Sequence, residues 1–222
     1  MIKIVLVRHG QTEWNSTGRY QGQSDVPLSA AGLEQADKLA AGFPLDHIDI
    51  IYSSDLSRAR TTAEKVAARF GLEVHTDDAF RELSFGDWEG LTYDEIVRGW
   101  PDAMANFVRH PDRMDIPHGE TFAAVQQRAM KRLNELVTAA DMQGSTIAVF
   151  AHGAVIRTML AAMLHIPLQY VWSIRQFNTA VNILTYEDGF YTIELMNSTA
   201  HLHESLPLGD WKKYNKKIWK KC

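Results

Sequence analysis

Apolar and polar positions come in blocks along this chain. The first block, Ile2–Val7, is five-sixths apolar and runs straight into Arg8-His9-Gly10. So apolar a run suits a strand buried on both faces of a parallel sheet, where ligands bind beyond the strands' carboxyl ends. Thr146–Gly153, T-I-A-V-F-A-H-G, repeats the arrangement, so two strand-end histidines can converge on one pocket. Ser29–Phe43 places Leu33, Ala36 and Leu39 at near-helical spacing behind Ser29 as N-cap. Ile48–Tyr52 reads as a short strand. Leu56–Phe70 then sets Ala59, Thr62, Ala63, Val66 and Phe70 on one helical face and closes at Gly71. Thr92–Gly99 opens with the Thr92/Glu95 spacing of a capping box, and Glu120–Ala140 aligns Val125, Ala129, Leu133, Leu136 and Val137. Between them, the proline-rich Trp100–His118 predicts an irregular cover over a pocket, with Trp100 and Phe107 facing it and Trp88 in the core. Val155–Leu164 predicts an apolar helix, and Ala180–Glu187 and Phe190–Met196 flank the hairpin signal Asp188-Gly189. Alternating strands and helices specify an α/β fold, a three-layer α/β/α sandwich whose central sheet is mainly parallel with an antiparallel edge.

Composition narrows the picture. With 222 residues and 45% hydrophobic content the chain supports one well-buried domain, placed at 1–204 with an insertion at about 92–120 covering the site. From Ser205 onward six lysines face one aspartate, so a basic tail, 205–222, follows a body that carries the excess acidity behind the net charge of −4. Trp211, Tyr214, Ile218 and Trp219 share one helical face of that tail, which suits a helix docked on its own domain or on a second subunit of a homodimer. The acidic balance argues against nucleic acid as a partner. No apolar stretch approaches the ~18 residues of a membrane span, so no stable membrane insertion is expected. The single cysteine is Cys222, which excludes an internal disulfide, a thiolate metal site and a thiol nucleophile inside the fold, and suits a reducing cytoplasm.

Residues with catalytic capacity gather where the elements end: Arg8, His9, Asn15, Arg58, Glu82 and His152. Two guanidiniums offer planar forks that match phosphoryl oxygens, and amides of Gly10 or Gly153 near helix starts would add backbone donors. Arg58 at a helix start opposes the helix dipole until an anion arrives. A histidine among cations resists protonation and keeps a ring nitrogen free to attack, so a phosphohistidine is reasonable chemistry. Glu82 would protonate the leaving alkoxide and then activate water. His9, His152 and Glu82 also have the makeup of a two-histidine, one-carboxylate metal centre. The neighbouring arginines oppose a cation there, and no short His-x-x-His or Glu-x-x-His spacing accompanies these residues. Neither metal nor cofactor is expected.

The ordered set Arg8-His9-Gly10, Asn15, Ser54-x-Leu56-x-Arg58-Ala59-x-x-Thr62, Arg81-Glu82, Gly86-x-Trp88-Glu89-Gly90 and His152-Gly153 resembles the histidine phosphatase superfamily, across roughly residues 1 to 201. The resemblance implies a phosphoglycerate mutase-like α/β/α fold, His9 as nucleophile and Glu82 as proton donor. It further implies a phosphate pocket of Arg8, Arg58 and His152, lined by Asn15, Gln21, Gly22 and Gly153. The partner it implies is a small-molecule phosphate ester. The stretches 82–90 and 119–128 look most like broad-specificity and alpha-ribazole phosphatases. The phosphoglycerate mutases are similar but carry an arginine after the acid and a paired-arginine segment. Here Leu83 follows Glu82, and Arg109 stands alone in the insertion. A mutase and a binding module that retains the pocket without turnover are the alternatives.

Overall fold

A computed structural model describes residues 1–139 and 142–202. The basic tail expected at 205–222 lies outside the described residues, as does the domain boundary drawn at 204. In chain order the elements are β1 (Ile2–Arg8), α1 (Glu13–Thr17), α2 (Ala30–Ala41), β2 (Ile50–Ser53), α3 (Ser57–Phe70) and β3 (Val74–Thr76). The second half contributes α4 (Tyr93–Gly99), α5 (Pro101–Arg109), α6 (Phe122–Thr138), β4 (Thr146–Ala151), α7 (Gly153–Met163), β5 (Val181–Glu187) and β6 (Phe190–Ser198). They form a six-stranded sheet in the order β3-β2-β4-β1-β5-β6. The four strands β1 to β4 run parallel, and β5 and β6 add an antiparallel edge. This is the three-layer α/β/α sandwich, mainly parallel with an antiparallel edge, expected from the pattern.

Period-two alternation divides the core. Ile4, Leu6, Ile147 and Val149 point into a larger cluster with α6, α7 and the insertion, whereas Val5, Val7, Ala148 and Phe150 point toward α2 and α3. Because both faces are covered, the central strands are apolar throughout and polar side chains appear only where they end. Arg8 pairs with Ala151 in the register of β1 and β4, so His9 and His152 leave the sheet side by side. The chain entering β5 reaches the same edge, with Thr179 N–H donating to the His9 carbonyl at 3.2 Å. Among the described residues no helix is long and apolar enough to cross a membrane.

The insertion differs from expectation. Met104 and Phe107 form the buried face of α5, and two of its prolines stand at helix starts: Pro101 opens α5 and Pro111 a short 3-10 turn. Proline's fixed φ and missing N–H suit the first helical turn, so residues read as breakers act as initiators. On α2 the buried face is Gly32, Ala36 and Leu39, while Leu33 is 39% exposed. The helix approaches β1's exit so closely that a Cβ on Gly32 would stand 1.9 Å from the Gln11 carbonyl oxygen, and this contact sets its rotation. Ser29 caps it as expected, donating from Oγ to the Gln11 carbonyl and accepting from Gly32 N–H at 3.1 Å. On α3, Ala67 takes the core position expected of Phe70, which is only partly buried.

Candidate active site

The site is built where β1, β4 and α3 meet. His9 and His152 are both buried, with ring centroids 5.1 Å apart. The Gly10 carbonyl, 2.6 Å from His9 Nδ1, can only accept, so Nδ1 carries the proton and Nε2 keeps its lone pair. Burial holds the His9 imidazole well below the usual histidine range, and the charges of Arg58 and Arg8 push it further the same way; the Gly10 bond opposes them. His9 is thus a neutral imidazole whose free nitrogen is set by the backbone. His152, the N-cap of α7, is held low by burial first and then by Arg58, His9 and Arg8. Neither of its ring nitrogens has a partner among the described residues.

Arg58 enters at the start of α3, where Asp25 caps the helix by accepting from Ser57 N–H at 2.8 Å. Its guanidinium donates to the carbonyls of Ser24 at 2.9 Å and Gly22 at 2.7 Å, leaving a buried Nε unpartnered. Burial lowers its pKa to about 10 against the opposing charges of Glu82, Asp25 and Glu89. Arg8 repeats the pattern, with one Nη donating to the Gln176 carbonyl at 2.8 Å and Nε buried without a partner. Four buried ring or guanidine nitrogens, the Nε of Arg8 and of Arg58 and both ring nitrogens of His152, therefore lack partners around His9, and at least three of them are donors. Leaving such groups unmade costs about 1–3 kcal/mol each, a cost that an oxyanion relieves.

Glu82 faces this cluster from the loop before the short 3-10 turn Gly86–Trp88. Its carboxylate accepts from Leu83 N–H at 2.9 Å and, across the site, from Ala154 and Val155 N–H at 3.1 and 3.3 Å. The first turn of α7 thereby anchors the acid. Glu82's own carbonyl is held by Arg128 at 2.9 Å, and Arg128 is ion-paired to Glu120.

A cavity of about 390 Å³ contains His9, Arg8, Arg58 and Glu82 and is lined by Asn15, Gln21 and Gly22, as the resemblance implied. Asn15 Oδ1 accepts from Thr12 and Asn178, and Gln21 Oε1 accepts from the Thr12 hydroxyl. Gly22 has φ +55° and turns its carbonyl to Arg58. Gly153 lines an adjoining cavity of about 260 Å³ that shares Arg8, Tyr20, Glu82 and Phe85 with the first. Two expectations fail here. The Gly10 amide, expected as a donor to an anion, is committed to Thr62 Oγ1 at 3.1 Å, while on α7 the amides that follow Gly153, those of Ala154 and Val155, serve Glu82. Phe107 lines the second cavity but Trp100 does not, since Trp100 packs against the core at the junction of α4 and α5. Trp88 is core as expected. Sequence reasoning missed Tyr93, Arg157 and Trp172 on the wall. Arg157 had a usable signal, because it stands one helical turn after Gly153 on α7 and so shares its face. Among the described residues, no three His, Cys, Asp or Glu side chains gather as a metal ion would require.

An α/β fold that sets a neutral histidine among unpaired cationic donors, with a carboxyl group opposite, defines an enzyme of phosphoryl transfer. Residues 4–199 match the model of the histidine phosphatase superfamily, branch 1, and the chain belongs to that family. It is 35% identical over 204 residues to phosphoserine phosphatase 1 of Hydrogenobacter thermophilus, covering 92% of this chain and 96% of the relative. It is 38% identical over 176 residues to glucosyl-3-phosphoglycerate phosphatase of Mycolicibacterium vanbaalenii, covering 75% and 76%. Among solved structures, Bacillus stearothermophilus YhfR superposes with a TM-score of 0.86 at 33% identity, covering 91% of this chain and all of the other. A phosphoserine phosphatase mutant from Entamoeba histolytica, in complex with phosphoserine, gives 0.82 at 32% identity, with coverage of 91% and 100%.

Proposed function

We propose that this chain hydrolyses small phosphomonoesters in two steps through a phosphohistidine at His9. The observation that carries the reading is the His9 tautomer: Nδ1 is tied to the Gly10 carbonyl, which leaves Nε2 as the free nitrogen of a ring buried beside His152 and under the charges of Arg58 and Arg8. Nε2 attacks phosphorus, the bond to the ester oxygen breaks, and the protonated Glu82 gives its proton to the leaving oxygen. Water then attacks the phosphohistidine, Glu82 takes the water's proton, and the N–P bond breaks to release phosphate. Arg8, Arg58 and His152 stabilise charge on the equatorial oxygens throughout, the principal task in phosphoryl transfer. The relatives named as phosphatases of phosphoserine and glucosyl-3-phosphoglycerate support hydrolysis. Relatives named as phosphoglycerate mutases keep phosphoryl transfer to a second substrate in view. The sequence motifs 82–90 and 119–128 place alpha-ribazole phosphate on the panel of substrates to test.

The test is release of inorganic phosphate from a panel of phosphomonoesters, with chelator present, by the wild type and His9→Ala. Release by the wild type alone supports the reading. Transfer to a second phosphoglycerate without net release would replace it with a mutase, and release by both proteins would remove His9 from the chemistry.

A further inference from the structure

The second cavity holds a cation that the hydrolytic steps do not use. Arg157 lies on its wall, partly buried, and makes no ion pair with a carboxylate among the described residues. Two contacts fix its guanidinium: Nε donates to the Ile174 carbonyl at 2.8 Å, and the plane lies 5.5 Å from the Trp172 ring centroid. Trp172 is itself pinned by its indole N–H, which donates to the Phe107 carbonyl at 2.8 Å. With Nε committed, the two terminal nitrogens remain as one planar fork. One of them stands 2.9 Å from where a Cβ on Gly153 would be, and Arg8 Nε stands 3.5 Å from the same point. The fork therefore borders the reacting centre, and Gly153 leaves room for both cations. Burial and the neighbouring Arg8 charge lower the Arg157 pKa to about 10 against the opposing charge of Glu82 on the same wall.

We propose that Arg157 binds a carboxylate on the leaving group, so that the preferred substrates are phosphomonoesters of compact hydroxy acids or hydroxy amino acids. The inference rests on the phosphatase reading above and names its substrate class. The phosphate compartment offers three cationic or donor side chains, the charge and donor count that a phosphoryl group needs. The second cavity offers one fork, which matches a monoanionic carboxylate in bidentate geometry. Its remaining wall, including Phe107, Val108 and Trp172, suits the carbon skeleton between the two anions. At about 260 Å³ it is smaller than the cavities that take drug-sized ligands, which limits the leaving group to a few carbons.

Phosphoserine and phosphoethanolamine differ only by the carboxylate, and their affinities can be compared by calorimetry in a His9→Ala background, where turnover does not intervene. A charge-assisted pair is worth about 1.5–3 kcal/mol, so His9→Ala binds phosphoserine about 10- to 150-fold more tightly. Adding Arg157→Met brings the ratio to within about threefold. Arg157→Lys keeps the charge without the fork and gives an intermediate ratio, which also serves if the methionine variant does not fold. Equal affinities in His9→Ala, a ratio unmoved by both Arg157 variants, or no binding of either ester would overturn the proposal. Phosphate release by the wild type from the same two esters is measured separately. If neither is hydrolysed the phosphatase reading fails, while the affinity ratio still decides the role of Arg157.

Discussion

Arg58→Met separates the cost of building this site from its benefit. The guanidinium is buried, and its fall to a pKa of about 10 corresponds to a penalty on the order of 3 kcal/mol carried by the folded state at any pH at which it is charged. A cation with a lowered folded pKa destabilises below that value and is relieved only as the pH rises through about 10, so the penalty is full at neutrality. Methionine removes it but strands the Ser24 and Gly22 carbonyls, at about 1–3 kcal/mol each, and the two effects offset to within a few kcal/mol. Stability therefore changes little while activity collapses: loss of a preorganised donor to the equatorial oxygens lowers kcat/KM by about 10²–10³. A second readout is independent. Arg58 is the largest charge acting against His9 protonation, so its removal raises the His9 pKa toward the usual range. The acid limb of kcat/KM, which reports ionisations of the free enzyme, moves to higher pH. Urea unfolding and a pH–rate profile on one good substrate provide the assay. An acid limb that stays in place, or a kcat/KM within threefold of wild type, would refute the reasoning.

Three further outcomes follow from particular contacts. Glu82→Gln lowers the rate of phosphohistidine formation by about 10²–10⁴ for alkyl phosphates but far less for p-nitrophenyl phosphate, whose leaving group needs no proton; equal losses in single-turnover kinetics would remove Glu82 as the acid. Gly32→Ala forces a Cβ to 1.9 Å from the Gln11 carbonyl oxygen and costs about 1–3 kcal/mol, read as a lower urea midpoint; an unchanged midpoint would mean that α2 and the β1 exit move apart freely. His9 and His152 are both held below the usual histidine range, so the unfolded chain binds protons that the fold refuses. Their contribution to stability is complete above about pH 6.5 and is lost as the pH falls toward the lowered folded values, with a slope of up to about 1.4 kcal/mol per pH unit for each. His152→Ala should remove about half of that part of the slope, and a variant that retains the full slope would contradict the assignment.

Legibility in the sequence followed burial. β1 and β4 are buried on both faces and read as uninterrupted apolar runs, so their ends, and with them Arg8, His9 and His152, were visible at once. Capping chemistry is local, and the starts of α2 and α4 stood at Ser29 and Thr92 as expected. β3 escaped because its three residues carry a single partly buried apolar side chain, too little to alternate. The insertion misled because proline was weighed as a breaker without asking which side of a helix start it occupied.

The Gly10 amide assignment failed for a different reason: it depends on contacts between segments far apart in the chain. Nothing near Gly10 announces that Thr62 will take its N–H, and nothing near α7 announces that Glu82, 72 residues earlier, will take two of its amides. That last contact has a chemical consequence. The helix start that carries His152 beside His9 also anchors Glu82, so one rigid element sets the separation between the two side chains to which the proposal gives phosphate binding and proton donation. A shift of α7 would displace both together relative to His9, which hangs from β1. Fixing that register falls to the packing of α7 against β1 and α6 and to Arg128, which clamps the Glu82 backbone from α6. Geometry of this kind is specified by the whole core, which is why the sequence could nominate the reacting residues but not the bonds that aim them.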